Sequence, residues 1–273
     1  MKRYLTLICL CMFMAFGLCG CSSAASSAEA DLPELVIGAS IYEPYFYLDI
    51  NGQYAGIDAD IMREACRRMG YQPVIKGLDL DRRFVSLEAG NVDCIWTGLT
   101  MEGRETAFDW AGPYLYTRRV VVVPEDSSIE TLADLEGKRM SVQTGSTTES
   151  ILLSCQNPVF PELRQLTSFP ELGEVFTALR NGYVDAASGM EAGLQVYLDE
   201  HPGQYRFLNM SIRSQALGVA FKKGSHSDLA AELSNIFTEM KEDGTIQAIL
   251  ESYGLDPETN MYGGIDHVTA QAQ

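Results

Sequence analysis

Residues 90–123, GNVDCIWTGLTMEGRETAFDWAGPYLYTRRVVVV, constrain the fold more than any other stretch of the chain. An apolar run at residues 92–96 follows a Gly-Asn turn and predicts a buried strand. It leads into a polar loop of hydroxyls, glycines and one arginine at residues 97–104, and a second β-branched run follows at 120–123. Because open α/β sheets bind small ligands where their strands end, we predict half of a binding site in this loop, followed by a crossing into a second lobe.

The chain is long enough for one large or two medium domains, because it has 273 residues and 46% of them are hydrophobic. Its formal net charge is −17. An acidic protein repels the phosphates of nucleic acids, so we expect no nucleic-acid partner. The charge does not by itself identify a ligand.

The first twenty residues have the features of an export signal. Lys2 and Arg3 precede an apolar run at residues 4–18, which ends in Leu18-Cys19-Gly20-Cys21. The alternative is one membrane-spanning helix, for which about 17 apolar residues is the short end of the range. Leu-x-Gly-Cys resembles the bacterial lipoprotein box, so we expect a signal peptide at 1–20, lipidation of Cys21 and a flexible tether at 21–34. A plain cleaved signal is the alternative to lipidation.

The cysteines beyond residue 21 lie in apolar elements and have no C-x-x-C spacing. Free cysteine in such a setting packs as a small hydrophobe, so we expect neither a disulfide framework nor a zinc site. The histidines lie in polar, turn-like segments without ligand spacing, and we expect no metal and no cofactor. These residues are Cys66, Cys94, Cys155, His201, His226 and His267.

Strands and helices alternate along the body of the chain. Apolar runs predict the strands, and four-residue apolar spacing predicts the helices; Asp58 or Asp60 would cap the first helix and Gly70 would end it. The predicted strands are residues 35–40, 73–76, 92–96, 120–123, 139–143, 183–187 and 217–221. Further helices are predicted at 82–89, 171–180 and around 229–240, after the capping box Ser146-x-x-Glu149, and at a cap on Thr245.

The pattern L-x-x-G-x-V-D occurs twice, at residues 87–93 and 179–185. Each copy predicts the end of a helix, a glycine turn and the start of a strand. Together with the repeated order of elements, the two copies support two α/β lobes of similar design.

An ordered set of short motifs covers the chain from Leu35 to Tyr253. Each motif alone is weak, but the set in this order is specific. The motifs are Tyr42-Glu-Pro-Tyr45, Gly52-x-x-x-Gly56-Ile-Asp-Ala-Asp60, Gly90-Asn-Val-Asp93, Gly98-Leu-Thr100, Arg104, Asp109-Trp-Ala-Gly-Pro-Tyr114, Leu135-Glu-Gly-Lys138, Val142-Gln-Thr-Gly145-Ser-Thr147, Gly182-Tyr-Val-Asp185 and Asp243-Gly-Thr245.

With these motifs the chain resembles the extracellular solute-binding proteins of family 3, which serve polar amino-acid ABC transporters. The resemblance implies an α/β, two-lobed, periplasmic-binding-protein-like fold of type II with two hinge crossings and a ligand cleft between the lobes. On that template the first lobe is 35–116 plus 213–255, the second is 117–212, and 256–273 is a C-terminal tail.

The resemblance also implies roles for individual residues. A free amino acid presents a carboxylate, for which an arginine supplies two parallel charge-assisted hydrogen bonds, and Arg104 matches the family position for this role. Ser146 and Thr147 match a helix start whose N–H groups bind the same carboxylate. The remaining matched positions, in the first-lobe loop and in the cleft walls, are Thr97, Gly98, Thr100, Tyr42, Tyr45 and Leu80.

Each of these roles has a plainer alternative. Arg104 could form a surface ion pair, Ser146 could only cap a helix, and the tyrosines could belong to the core. The family commonly has an acid, which pairs with the ligand's ammonium, five residues after the second V-D aspartate; here that residue is Met190, a predicted cleft-wall residue. Either the adjacent Glu191 takes over this role, or the protein does not hold an ordinary α-ammonium.

The expected function is that of a monomeric, lipid-anchored receptor on the outer face of a bacterial cytoplasmic membrane. It would capture an amino acid or amino-acid-like solute and deliver it to an ABC permease, without being an enzyme. The alternative is a secreted enzyme on the same scaffold, similar to cyclohexadienyl dehydratase, with Glu191 as its general acid or base. A sensory module is a third, less supported alternative.

Overall fold

The computed structural model describes residues 32–154, 160–208 and 214–263. Its strands are β1 (Glu34–Ala39), β2 (Tyr47–Leu48), β3 (Tyr54–Ala55), β4 (Gln72–Gly77), β5 (Cys94–Ile95), β6 (Phe108–Thr117), β7 (Arg119–Pro124), β8 (Arg139–Gln143), β9 (Gln165–Phe169), β10 (Ala186–Met190), β11 (Tyr205–Phe207) and β12 (Gln215–Lys222). Its helices are α1 (Ile57–Met69), α2 (Arg83–Glu88), α3 (Thr147–Leu153), α4 (Leu172–Arg180), α5 (Glu191–Asp199), α6 (Ser227–Glu242), α7 (Thr245–Ser252) and α8 (Pro257–Tyr262), with a 3₁₀ turn at Ala133–Leu135.

The strands form two five-stranded sheets of the same design. The first has the order β4-β1-β5-β12-β6 and the second the order β9-β8-β10-β7-β11. In each sheet the first three strands are parallel and the last two pair antiparallel. The chain passes between the sheets twice, from β6 to β7 and from β11 to β12, so the predicted two-lobed α/β fold with two crossings is confirmed.

The two L-x-x-G-x-V-D copies have the same structural role in the two sheets. Asp93 accepts a hydrogen bond from the backbone N–H of Val36 at 2.8 Å, and Asp185 accepts one from the N–H of Arg139 at 2.8 Å. In both copies the aspartate therefore ties the strand that follows it to the central parallel strand of its own sheet. The glycines that precede these strands have φ of +73° and +69°, a backbone conformation that favours glycine.

The core of the first lobe lies on the side of its sheet covered by α1 and α6. Trp96 is fully buried, with its ring edge-on to Phe237 at 5.4 Å and tilted against Tyr114 at 6.1 Å. Burial of an aromatic side chain of this kind stabilises a fold by about 2–3 kcal/mol. The packing fixes the end of β5, which leads directly into the polar loop at residues 97–104.

Local predictions differ from the structure where tertiary contacts override local patterns. The strand predicted at 92–96 is only Cys94–Ile95, and the one predicted at 183–187 begins later, as β10. Neither Asp58 nor Asp60 caps α1, whose N-cap is Gly56, and Thr245 is the first residue of α7 after an N-cap at Gly244. Strands β9 and β11 and helix α5 were not predicted, because their sequences show neither alternation nor a strong apolar period. Strand β6 was not predicted either, because Gly112 and Pro113 within it usually interrupt a strand.

The cysteines within the described residues, Cys66 and Cys94, are buried free thiols, as expected, whereas Cys21 and Cys155 lie outside those residues. Within the same ranges no group of histidines, cysteines and acids could hold a metal ion. None of the described helices is both long and apolar enough to cross a bilayer. Part of the predicted tail forms helix α8, which Asp256 caps and which packs against β6.

Candidate functional site

A narrow cleft lies where the ends of the two sheets face each other. Its cavity has a volume of about 30 Å³, and two of its lining residues, Leu80 and Gln143, also line a wider groove of about 490 Å³. The cavity is thus the inner end of a larger opening. Its lining residues are Tyr42, Leu80, Arg83, Thr97, Gly98, Leu99, Thr100, Arg119, Gln143, Ser146, Thr147, Ser188, Gly189 and Met190.

The first-lobe wall of the cleft is the loop that follows β5. Gly98 donates its N–H to Asp58 at 2.6 Å, and Thr97 Oγ1 accepts the N–H of Ser40 at 3.1 Å. Asp58 also accepts from the Tyr114 hydroxyl at 2.9 Å, and burial raises the pKa of its carboxyl to about 7 despite these two bonds. The buried carboxylate of Asp58 therefore fixes the position of the loop, whose residues Thr97, Gly98 and Thr100 line the cleft.

The second-lobe wall is formed by the end of β8 and the start of α3. Ser146 caps α3 by accepting the N–H of Glu149 at 3.2 Å, as its spacing predicted. Glu149 reaches back to the N–H of Gly145 at 2.5 Å rather than to that of the cap residue. These bonds hold Ser146 and Thr147 at the cavity, so capping and lining are compatible at this position.

Hydrogen bonds connect the two walls directly. The Tyr42 hydroxyl accepts the N–H of Met190 at 2.8 Å, and Thr100 Oγ1 lies 3.1 Å from Thr147 Oγ1. A Cβ on Gly193 would lie 2.7 Å from the Tyr42 ring, so only glycine permits this approach. Burial raises the pKa of Tyr42 to about 12, which keeps its hydroxyl neutral. The two lobes are thus in a closed arrangement.

Three arginines are located at the cleft. Arg104 donates from Nη1 to the carbonyl oxygen of Thr100 at 3.2 Å, and its guanidinium lies 5.5 Å from the centre of the Phe84 ring. Arg83 is 5% exposed, lies 4.6 Å from the same ring, and donates to the carbonyl oxygens of Leu80 and Gly145. Arg119 is 4% exposed and donates to the Gln215 side chain at 3.1 Å and to Thr148 Oγ1 at 3.2 Å.

Burial weakens the protonation of all three guanidinium groups. It lowers the pKa of Arg83 to about 10, with a smaller effect from the positive charge of Arg104, and it lowers the pKa of Arg119 to about 10. Burial also lowers the pKa of Arg104. At neutral pH all three arginines nevertheless carry a positive charge.

The predicted site residues occupy three kinds of position. Arg104 lies beside the cavity and bonds the lining residue Thr100, but it does not itself line the cavity. Tyr45 is fully buried and donates its hydroxyl to Thr117 at 3.0 Å, in the core beneath the cleft. The predicted residues that line the cavity are Tyr42, Leu80, Thr97, Gly98, Thr100, Ser146, Thr147 and Met190.

Glu191 does not line the cavity. It is the first residue of α5 and forms a two-pronged ion pair with Arg118 at a separate surface groove. Among the described residues that line the cavity, none is acidic.

Sequence reasoning missed Arg83 and Arg119 as cleft residues. Each belongs to an Arg-Arg pair, and each pair lies at the edge of an element next to a site loop. Such pairs usually indicate a solvated element boundary. Arg82 and Arg118 are indeed exposed, whereas their neighbours Arg83 and Arg119 are buried. The sequence alone does not show which arginine of each pair is buried.

The comparisons with known proteins agree with this architecture. The family model of the bacterial extracellular solute-binding proteins, family 3, matches residues 35–256. The chain belongs to this family. Its members are extracellular or periplasmic solute-binding proteins, so the family resemblance recognised from the motifs is confirmed.

Similar proteins bind amino acids. The chain is 24% identical to a probable histidine-binding protein of Campylobacter jejuni, covering 94% of this chain and 100% of that protein. It is 27% identical to the histidine-binding periplasmic protein of Salmonella typhimurium, covering 89% and 95%. Among solved structures, an ancestral arginine-binding protein bound to arginine superposes with a TM-score of 0.72 at 28% identity, covering 81% and 97%.

One further structural neighbour is a precursor of an enzyme. The ancestral amino-acid-binding protein AncCDT-1, described as a precursor of cyclohexadienyl dehydratase, has a TM-score of 0.71 at 24% identity and covers 81% of this chain and 94% of its own. At this identity the likeness shows the fold alone.

Proposed function

We propose that this protein captures an amino acid or amino-acid-like solute between its two lobes and delivers it to the permease of an ABC importer. The lobes would be residues 35–116 plus 213–255, and residues 117–212. The observation that carries the proposal is the set of hydrogen-bond donors that meet in the cleft from both sheets. Loop hydroxyls and an arginine come from the first sheet, and the start of α3 and a buried arginine come from the second.

Capture would proceed by rotation of the lobes about the two crossings between the sheets. Closure brings Tyr42 to Met190 and Thr100 to Thr147, and an enclosed solute would add its own bonds to these two. A solute that must also be released requires only moderate affinity, near micromolar, which corresponds to about −8 kcal/mol.

The same proposal includes a lipid anchor on Cys21, after removal of residues 1–20. It is supported by the basic start, the apolar run and the Leu-Cys-Gly-Cys sequence. A tether at 21–34 would span at most about 45–50 Å when extended, since a residue reaches about 3.3–3.6 Å. That is enough to let the protein, as a monomer, meet a permease in the same membrane.

The related proteins and the position of Glu191 support binding rather than catalysis. The two curated relatives named above are both described as binding proteins. Glu191, which the enzyme alternative requires as its acid or base, is paired with Arg118 and lies away from the cavity. We therefore do not propose an activity of the dehydratase type.

Thermal unfolding of the mature chain with a panel of amino acids and carboxylic acids tests the proposal. A solute that binds the folded state raises its stability by about 2.7 kcal/mol at a concentration of 100 times Kd. We expect at least one solute to raise the Tm in a concentration-dependent manner. The absence of a shift with every member of the panel would contradict the proposed function.

A further inference from the structure

We propose that the cleft selects a solute with two anionic groups, such as a dicarboxylate, over neutral and cationic amino acids. This inference rests on the proposed function and names its substrate class. It differs from what the histidine- and arginine-binding relatives would suggest, because it depends on residues of this chain.

The first step is that two arginines bond to one short segment, residues 145–148, and that a third is connected to it through Thr100. Arg83 donates to the carbonyl oxygen of Gly145 at 3.2 Å, and Arg119 donates to Thr148 Oγ1 at 3.2 Å. Arg104 lies 3.4 Å from Thr100 Oγ1, which is itself 3.1 Å from Thr147 Oγ1. Three positive charges therefore surround one end of the cleft.

The second step is that these charges have only neutral partners. Within the described parts of the chain, none of the three guanidinium groups forms an ion pair with a carboxylate. Their hydrogen bonds go to carbonyl, hydroxyl and amide oxygens, and the buried Arg83 Nε has no partner at all. Burying a cation in this way is costly unless an anion compensates it.

The nearby acids that the structure describes do not pair with the three arginines. Glu102 accepts the N–H of Ala216 at 2.6 Å with one oxygen, while its other, buried oxygen has no hydrogen-bond partner among the described residues. Its negative charge favours protonation of Arg104 and Arg119. Glu149 accepts the N–H of Gly145 at 2.5 Å. Asp81 is exposed at the wider groove, and Glu191 is paired with Arg118. Glu102 thus offsets part of the positive charge without forming an ion pair, and an excess of positive charge remains at the cleft.

The charge count then decides between solute classes. A neutral amino acid brings one carboxylate and one ammonium, so it leaves the net charge of the cleft unchanged, and a cationic amino acid increases it. A solute with two carboxylates compensates two of the three arginines. Arginine is suited to this role because its planar fork matches a carboxylate.

An ammonium group finds no anionic partner in the cavity itself. The buried Gln143 Oε1 lacks a hydrogen-bond partner and could accept from an ammonium, but it is neutral. Asp79, Asp81 and Glu171 line the wider groove, where a cationic side chain could instead lie. Compensation of the arginines favours an anionic solute, whereas use of the acidic groove favours a cationic one. A binding experiment therefore distinguishes the two.

Calorimetric titration of the mature chain is the first test, with L-glutamate, L-aspartate, glutarate and succinate set against L-glutamine, L-asparagine, L-histidine and L-arginine. We expect L-glutamate and L-aspartate each to bind at least about tenfold more tightly than the matched amide, a difference of about 1.4 kcal/mol. We also expect glutarate, which lacks an ammonium, to bind within about tenfold of L-glutamate.

The outcomes separate the two proposals. Tightest binding of an amide, L-histidine or L-arginine would overturn the dicarboxylate inference and leave the proposed function intact. If none of these solutes binds, the dicarboxylate inference fails, and the thermal panel above shows whether the proposed function fails with it.

Substitution of the cleft arginines is the second test. In Arg83→Gln and Arg119→Gln we expect the preference for L-glutamate over L-glutamine to fall towards unity, whereas the exposed Arg180→Gln, which removes the same charge, should retain it. We also expect the solute-free Tm of Arg83→Gln to stay equal or rise, because an uncompensated buried charge is removed. A preference that survives in both cleft variants, or a large loss of solute-free Tm with the preference intact, would overturn the inference.

Discussion

The basic residues on the surface of this protein and those in its cleft have opposite surroundings. On the surface, Arg139 pairs with Asp185 at 2.7 Å, and Arg68 pairs with both Glu64 and Asp243 at 2.7 Å. In the cleft, Arg83 and Arg119 are more deeply buried and have neutral partners only. Burial should make an ion partner more necessary, so the contrast is the reverse of what stability alone would favour.

A shortage of acids does not explain the contrast. The chain has 37 acidic residues and a net charge of −17, so carboxylates are in excess. Glu102 and Glu149 lie close to the cleft yet bond backbone N–H groups. The cleft thus keeps its arginines out of ion pairs with any described carboxylate, although carboxylates lie nearby, which agrees with the proposed preference for an anionic solute.

The largest expected effect concerns Asp58, the buried acid beneath the first-lobe loop. Its folded-state pKa is about 7, above the ordinary value of 3.8, so the folded state binds its proton more tightly than the unfolded state. Its contribution to stability should therefore be lost as pH rises from about 4 to about 7, by on the order of 4 kcal/mol at 1.36 kcal/mol per pKa unit.

Asp58→Asn isolates this contribution. The surface carboxylates of Glu64, Asp109 and Asp243, whose pKa values are lowered to about 2 chiefly by their hydrogen bonds, change stability in the opposite direction. The difference in unfolding free energy between wild type and Asp58→Asn, measured in urea across this pH range, removes that background. A difference that does not change with pH would contradict the burial argument.

The next largest effect is expected from Arg104→Ala. If Arg104 binds a carboxylate of the solute, its loss should weaken the binding of L-glutamate by about a hundredfold, since a hydrogen-bonded charge pair is worth about 2–5 kcal/mol. The matched control is Arg139→Ala, which removes a surface arginine that is already paired with Asp185. Calorimetry on both variants measures these affinities. Retained affinity in Arg104→Ala, or lost affinity in Arg139→Ala, would contradict the difference between cleft and surface arginines.

The smallest effect is expected from Glu191→Gln. Its ion pair with Arg118 is solvent-accessible, and exposed pairs contribute about 0–1 kcal/mol to stability. The binding of L-glutamate should change less than about twofold, because the side chain lies outside the cavity. A large loss of binding would show that Glu191 contacts the solute after all, and the contrast between cleft and surface would then need revision.

Much of the fold could be predicted from the sequence, because local signals and tertiary structure agree there. The strand at Arg139–Gln143 has the predicted bounds, and the first helix ends at Gly70, whose φ of +72° favours glycine. The two V-D aspartates were recognised as a repeat, and both anchor a strand in the same way. Strands β9 and β11 were missed because short strands at a sheet edge carry little periodicity.

The site could be predicted only in part. The loops at residues 97–100 and 146–147 follow strands and contain hydroxyls, which pattern and resemblance both reveal. The burial of Arg83 depends on contacts with Gly145, 62 positions away, and that of Arg119 on contacts with Gln215, 96 positions away. No local pattern carries such information, and arginine at an element boundary is usually exposed.

Hydrogen exchange with and without L-glutamate tests most directly whether the solute is held between the lobes. The account predicts slower exchange at both walls of the cleft, in peptides that cover residues 97–104 and residues 143–149. The hairpin of β2 and β3, which lies outside the lining residues, should exchange at an unchanged rate. Binding detected by calorimetry without protection of both walls would contradict capture in this cleft.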